Sequence, residues 1–445
     1  MRASELREAD ERPYLTCPLE TSPMELRIDR LLATLRERPS EVLAAIDADP
    51  HLIKREIGDL VLANAAKTLF TPQVEHQLYA KGIVYRRSPY RLVSLPLLKI
   101  YNLGERNVTA ADVAGLAVPG ARLHFLRKFD GTMVQRFQVD GRVFFTTRGM
   151  IEGAALPVGF AQDEDAPARA RTFDYLAAAR KLAAERYPPL VEIVPEFDGV
   201  TLILELLHPE ARVITDYRGR QDLVLLAAFD RDRHAYWPYA KLRAIADRHG
   251  LTVADALTPA GDTLAGQIDS LLAELCGTDQ EGTVLVVEIG DAVVYRVKIK
   301  SPDYLRLLRL MVRCTYSATV EMLDANPSCR DWPAFEEWLR GQGTDRVPEE
   351  VMIQYREHFD TFAAYRADCG RLRAWAARRC EELRAACPPG EPRSVRKAFA
   401  DLARTAPHAA LLFSALDSRL TEMKVREYCP LPENVRDALA KILAR

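Results

Sequence analysis

Four short segments of this 445-residue chain carry side chains that could work together on a phosphate. The first is Lys128-Phe129-Asp130-Gly131. The second is Glu205, inside the apolar run Thr201 to Leu207. The third is Glu281-Gly282 and the fourth is Lys298-Ile299-Lys300. Each has an ordinary explanation by itself. Asp-Gly marks turns in many proteins, a lone glutamate is a salt-bridge partner, and two lysines two apart form a solvated strand face. Together they are harder to dismiss. Two carboxylates and three lysines fall in or at the ends of apolar strands, where ionised groups are uncommon without a partner.

The residue types suit nucleophilic attack on a nucleotide. A lysine amine attacks only when unprotonated, and its ordinary pKa is about 10.4. Neighbouring cations disfavour the charged form and free the lone pair. Lys298 and Lys300 are two apart in a strand and share a face. They are expected to sit at an α-phosphate, stabilise charge there and lower the pKa of Lys128. Carboxylates suit a metal ion or a ribose hydroxyl instead. Gly131 would let the backbone pass close to the nucleotide.

These side chains need strands to hold them, and the middle of the chain supplies the signals. Thr132–Val139 and Arg142–Arg148 alternate around Asp140-Gly141, a two-residue hairpin pattern. Thr283–Ile289 and Ala292–Lys300 flank Gly290-Asp291 in the same way. Thr201–Leu207, Arg212–Tyr217 and Asp222–Phe229 are further strand candidates. Phe173–Tyr187 has helical spacing, and residues 161–171 read as a surface linker. Residues 1–75 read as a helical region, with stretches opened by Pro39-Ser40 and by Pro50 (His51 to Leu69). Residues 76–305 form the strand-rich domain. Residues 306–445 read as helical, with one long heptad-like stretch from Val351 to Cys387, then Val395–Leu402 and Ala409–Leu420.

Composition excludes several alternatives. A formal net charge of -2 rules out a uniformly basic nucleic-acid coat but leaves room for a basic groove. Met1 to Cys17 has no apolar core for a secretory signal, and no apolar run approaches the roughly 18 residues of a membrane span. The eight cysteines are scattered without a C-x-x-C pair, as expected of free thiols in a reducing cytoplasm. There is no H-E-x-x-H and no P-loop. Arg366, Arg371, Arg373, Arg378 and Arg379 read as a solvated helix face or as a stripe that tracks phosphates. Cys380, Cys387, His124 and His208 read as structural.

The four segments, in this order, resemble the lysine-adenylating nucleic-acid ligases, and among them the phage-type RNA ligase 1 family of tRNA-repair enzymes. Further matches are Arg148-Gly149, the set Glu205, Pro209, Arg212 and Tyr217, and Ser301 with Tyr304 after Lys300. Lys81-Gly82-Ile83-Val84-Tyr85 and Pro96 to Leu103 resemble the family's lead-in to its nucleotide pocket. The likeness covers roughly residues 76 to 310. It implies that Lys128 accepts AMP. It places Lys298 and Lys300 at the α-phosphate, Glu205 at the ribose and Glu281 at the metal. Lys81, Lys99 and Arg148 go to phosphates, Tyr101 near the nucleotide, Gly131 against it, and Tyr304 on an RNA phosphate. Two positions depart from the family: residue 81 is Lys where Arg is usual, and residue 148 is Arg where Lys is usual. The two side chains are not equivalent at a phosphate.

The expected fold is α+β: a nucleotidyltransferase domain of antiparallel sheets with flanking helices, then an all-helical C-terminal domain. The expected activity is ATP-dependent joining of RNA 5′-phosphate and 3′-hydroxyl ends, with ATP as co-substrate, Mg2+ or Mn2+ as metal, and tRNA or another broken structured RNA as partner. A cytoplasmic protein with no membrane association is expected. The alternatives are a DNA ligase, a capping-type nucleotidyltransferase, and a catalytically silent RNA-binding module. The helical pattern after Tyr304, in place of a small β-barrel, argues against the first two. Retention of all five charged residues argues against the third.

Overall fold

The computed structural model describes residues 27–66, 74–105, 108–115, 118–153, 173–343, 347 and 349–443. Residues 1–17, read above for a secretory signal, and the linker 161–171 lie outside the described residues. The chain divides into two compact units, Met1–Leu308 with Arg346–Pro348, and Arg309–Asp345 with Glu349–Arg445.

The first unit begins with helices α1 (Ile28–Glu37) and α2 (Pro39–Ala48), the latter opened by a proline at its first position. Strands β1 (Leu52–Ile57), β2 (Leu60–Ala65), β3 (Lys81–Arg87) and β4 (Tyr90–Ser94) follow and form an antiparallel sheet in chain order. The expectation of a helix from His51 to Leu69 is therefore wrong. Gly58-Asp59 turns the chain, and Gly58 has φ 59°, the left-handed conformation a tight hairpin requires.

Next come β5 (Tyr101–Asn102), α3 (Ala110–Ala114), β6 (Ala121–Lys128), β7 (Thr132–Val139), β8 (Arg142–Thr147) and α4 (Tyr175–Arg186). They are followed by β9 (Val200–Leu207), β10 (Asp222–Asp230), β11 (Ala235–Tyr236), α5 (Tyr239–His249), β12 (Ala256–Leu257), α6 (Leu264–Leu275), β13 (Gly282–Ile289) and β14 (Ala292–Lys300). Two five-stranded sheets result, ordered β11-β10-β9-β7-β8 and β12-β6-β13-β14-β5. All pairings are antiparallel except β14 with β5. Both expected hairpins form, β7–β8 and β13–β14. β9 is central in its sheet and buried at every residue, which explains its near-continuous apolar sequence. The helix expected over Phe173–Tyr187 is α4. Arg212–Tyr217 is not a strand, because its amides are used elsewhere, as described below.

The division between the units falls within α7 (Pro302–Val312). In the second unit every described element is a helix: α8 (Tyr316–Ala325), α9 (Trp332–Gly341), α10 (Glu349–Ala385), α11 (Pro392–Ala403), α12 (Ala409–Leu416), α13 (Glu422–Tyr428) and α14 (Pro432–Leu443). The 37-residue α10 buries Tyr355, Phe359, Phe362, Tyr365, Cys369 and Leu372, a three-and-four spacing that makes one apolar seam. The Tyr365 hydroxyl donates to the carbonyl of Cys429 at the end of α13. The architecture is α+β, antiparallel sheets with helices, followed by an all-helical unit.

Candidate active site

The strand registers bring the four segments together. Lys128 ends β6 and pairs with Gly282, the first residue of β13, which pairs with Lys300, the last of β14. Lys128, Gly282 and Lys300 therefore form one row across the sheet, with Glu281 beside it. After Lys128 the chain leaves this sheet and enters the other at Thr132. There β7 pairs with β9, setting Met133 opposite Glu205. The Lys128–Gly131 crossing thus carries the nucleophile candidate from one sheet to the carboxylate of the other.

A cavity of about 650 Å³ opens here. Its wall carries Lys81, Lys99, Arg127, Lys128, Arg148, Arg296 and Lys298 against one carboxylate, Glu205. The remainder is largely apolar, including Leu97, Leu98, Leu126, Val284 and Val286. Such a site suits a polyanion with an apolar body, held beside an amine.

Glu281 is buried and gives one oxygen to each of two ammonium groups. Its Oε2 lies 2.5 Å from Lys128 Nζ and its Oε1 lies 2.7 Å from Lys300 Nζ. Burial pulls the pKa of Lys128 down, but Glu281, Glu205 and Asp130 together outweigh it and hold the amine above its ordinary value. The expectation that neighbouring lysines depress Lys128 is therefore overturned for the free protein. The depressed lysine is Lys298, at about 8, through burial first and then the charges of Lys128, Lys300 and Lys99. Lys81 is also brought to about 8, by burial and by Arg148 and Lys99. Burial raises Glu205 to about 7 against the pull of Lys128.

Lys298 lines the cavity, whereas Lys300 is turned to Glu281 and lies over the Tyr304 ring. Lys99 lines it and pairs with Glu105 at 3.2 Å. Tyr101 is buried beneath the Lys99 ammonium and does not line the cavity. Lys81 and Arg148, the two departures from the family pattern, line it together, so the exchange keeps two cations in place. Gly131 is there too, but its need for glycine comes from its neighbour strand: a Cβ would stand 2.4 Å from the Leu206 carbonyl oxygen. The Gly131 amide donates to Glu205 Oε1 at 3.0 Å.

Asp130 has no role of its own in the sequence reading, yet it organises the site. Its Oδ2 accepts from the amides of Ile214 and Thr215, both at 2.8 Å, and its own amide donates to the Tyr217 hydroxyl. These bonds use the backbone groups that a strand over Arg212–Tyr217 would have needed. Tyr304 is buried and donates to Asp130 Oδ1 at 2.7 Å. Its assignment to an RNA phosphate is corrected accordingly: the hydroxyl is committed inside the protein. Arg296 was also missed, although it continues the alternation Arg296, Lys298, Lys300 on one strand face.

Other candidates lie elsewhere. His124 contacts Glu288 and Tyr239, and His208 accepts from the Glu210 amide. In the helical unit, Arg366 pairs with Glu422, Arg371 with Asp368 and Arg379 with Glu382, so much of the arginine stripe is neutralised. Cys380 is buried as expected, whereas Cys387 is half-exposed, and the seven described cysteines are all free. No group of three metal-ligating side chains is found among the described residues, and no helix among them is long and apolar enough to cross a membrane.

No family model matches the chain. It is 29% identical over 167 residues to a Thermovibrio ammonificans protein named "Putative RNA ligase", a match that covers 38% of this chain and 37% of that protein. The chain thus spans little more than a third of that relative's length. Among solved structures, one form of an archaeal ATP-dependent RNA ligase aligns over 74% of this chain and 81% of its own, at 14% identity and a TM-score of 0.44. A second form aligns over 84% and 89%, at 14% identity and a TM-score of 0.41.

Proposed function

We propose that this chain is an ATP-dependent RNA ligase that carries AMP on Lys128. The observation that supports this best is the cavity itself, in which a buried, carboxylate-held lysine shares one wall with six other cations. The name of the partial relative points the same way. The Lys128 amine attacks the α-phosphorus of ATP, a P–N bond forms, and pyrophosphate leaves. An RNA 5′-phosphate oxygen then displaces Lys128 and takes the AMP. An RNA 3′-hydroxyl finally attacks that phosphate, forms the phosphodiester and releases AMP.

Lys298, Lys81, Lys99 and Arg148 hold phosphate oxygens and offset charge as each bond forms. Glu205 takes the ribose. Lys300 acts as a positioning residue that aims Glu281. Lys128 must shed its proton before it attacks.

We assign a divalent cation to Glu281, where it would take the place of one of the two ammonium partners. Magnesium commonly binds through one or two carboxylates and the substrate's own phosphates, so a single glutamate fits and no protein cage is needed. Bound there, the cation would neutralise phosphate charge.

The helical unit is assigned to engaging structured RNA, such as broken tRNA. The test is incubation with α-labelled ATP or GTP and magnesium, read by denaturing gel and peptide mass. One AMP should appear on Lys128, and Lys128→Ala should abolish it. Label that persists in the variant overturns the nucleophile. Label from GTP alone points to a capping enzyme, and sealing of nicked DNA without RNA joining points to a DNA ligase.

A further inference from the structure

Among the described residues this unit buries three arginines, Arg55, Arg136 and Arg296, and of these Arg296 alone lines the cavity. Arg136 is fully buried away from the cavity; its Nε and Nη2 donate to the carbonyls of Leu190 and Glu192, and its Nη1 has no partner. Arg296 is only 7% exposed, and its Nη1 is buried without a hydrogen-bond partner. The guanidinium lies over the ring of Tyr236, 4.3 Å from the centroid. The nearby carboxylate, Glu288, is already taken by the Tyr239 amide, Arg122 and His124. Burial lowers the arginine to about 10, which still leaves it charged near neutrality. A buried, charged N–H without an acceptor is costly, and a guanidinium does not escape by losing its proton near neutrality.

Its position suggests what would meet the need. Arg296 pairs with Val286 in β13, two residues beyond the Lys298–Val284 row and four beyond the row of Lys300, Gly282 and Lys128. At about 3.4 Å per residue, its backbone sits roughly 13–14 Å along the sheet from the row that holds Lys128. Leu126, Val284, Val286, Leu226 and Ala254 line the same cavity, which is apolar where the Lys128 end is cationic. Tyr236, which stacks on Arg296, also accepts from the Leu98 amide and donates to the Pro96 carbonyl. One ring thus contacts both the guanidinium and the Pro96–Leu98 segment, of which Leu97 and Leu98 also line the cavity.

We propose that Arg296 is the base-reading residue of this cavity, donating an N–H to an acceptor nitrogen of the adenine ring while the phosphates lie at Lys128. This rests on the ATP reading above. An adenine offers N1, N3 and N7 as acceptors, and a flat apolar-sided ring suits a cleft of valine, leucine and alanine. The guanidinium is then the group that distinguishes a nucleobase from any other apolar body, since valines and leucines cannot.

The experiment compares Lys128 labelling and equilibrium binding for ATP, 1-deaza-ATP, 3-deaza-ATP and 7-deaza-ATP, each of which replaces one ring nitrogen by C–H. It uses the full chain and its Arg296→Met and Arg296→Lys variants. In the natural chain one analogue should bind roughly 10- to 100-fold more weakly than ATP, the size of one hydrogen bond from a charged donor. In Arg296→Met that analogue and ATP should bind alike, and Arg296→Lys should restore part of the difference. If the natural chain binds all four nucleotides equally, Arg296 only packs against Tyr236 and the proposal is overturned; this holds even if the variants fail to fold. It is also overturned if the penalty persists unchanged in Arg296→Met. Absence of any nucleotide on Lys128 of the natural chain would instead defeat the ATP reading, and this assignment with it.

Discussion

Tyr304, at the start of α7, donates its hydroxyl to Asp130, 174 residues earlier, across 2.7 Å. The bond ties the last lysine-motif segment to the crossing that carries Lys128. Tyr304→Phe removes one hydrogen bond to a buried carboxylate, a loss of about 1.5–3 kcal/mol in stability. Urea unfolding should move to a lower midpoint, and transfer of AMP to Lys128 should slow with it. If stability and AMP transfer are untouched while RNA joining fails, Tyr304 touches RNA after all.

The Lys128–Glu281 pair predicts a pH effect. Glu281 is the largest influence raising the amine's pKa against burial. In Glu281→Gln that influence disappears while burial and Lys298 remain, so the proton should leave at lower pH. The alkaline-rising limb of the labelling rate should shift to lower pH. The maximum rate should fall, and added magnesium or manganese should recover part of it. A limb that stays in place in the variant would show that another group sets the profile.

ATP affinity should fall as pH rises through about 8. Lys298 and Lys81 each lose a proton near that value in the free protein, and their charge goes with it. An anionic ligand favours the protonated forms, so binding at pH 8 should take up protons. Calorimetry with α,β-methylene-ATP in buffers of different ionisation enthalpy measures this uptake directly. Lys298→Ala should show less uptake; uptake equal to that of the natural chain would remove Lys298 from the phosphate site.

Two motif glycines should behave differently. A Cβ on Gly131 would stand 2.4 Å from the Leu206 carbonyl oxygen, whereas one on Gly149 would meet only Asn64 Nδ2, at 3.8 Å. Gly131→Ala should therefore cost about 1–3 kcal/mol by overpacking. Gly149→Ala should stay within about 0.5 kcal/mol. Denaturant midpoints compare them, and equal midpoints would mean that the β9 contact yields freely.

The hairpins were legible because their turns are local chemistry: Asp140-Gly141 and Gly290-Asp291 announce themselves between alternating strands. Gly58-Asp59 carries the same signal, but the preceding proline and the apolar run of β2 resemble a helix start. The charged residues that the strand registers bring together were also legible, since ionised groups in apolar strands stand out. Their electrostatic state was not. Whether Lys128 is depressed or raised depends on Glu281 lying 2.5 Å away, across 153 residues of chain. Tyr304 and Arg212–Tyr217 were misread for the same reason. Their partner is Asp130, and no local pattern reveals a contact that only the fold creates.

The ion pair at Lys128 has one more consequence. A free, unprotonated lysine in an open cleft would react with cyanate, aldehydes and sugars, and each such adduct would end the protein's working life. Held as an ammonium against Glu281, the same nitrogen is inert to them. If Lys128 is the nucleophile proposed above, the carboxylate acts as a chemical safety catch, keeping the protein usable between encounters with ATP.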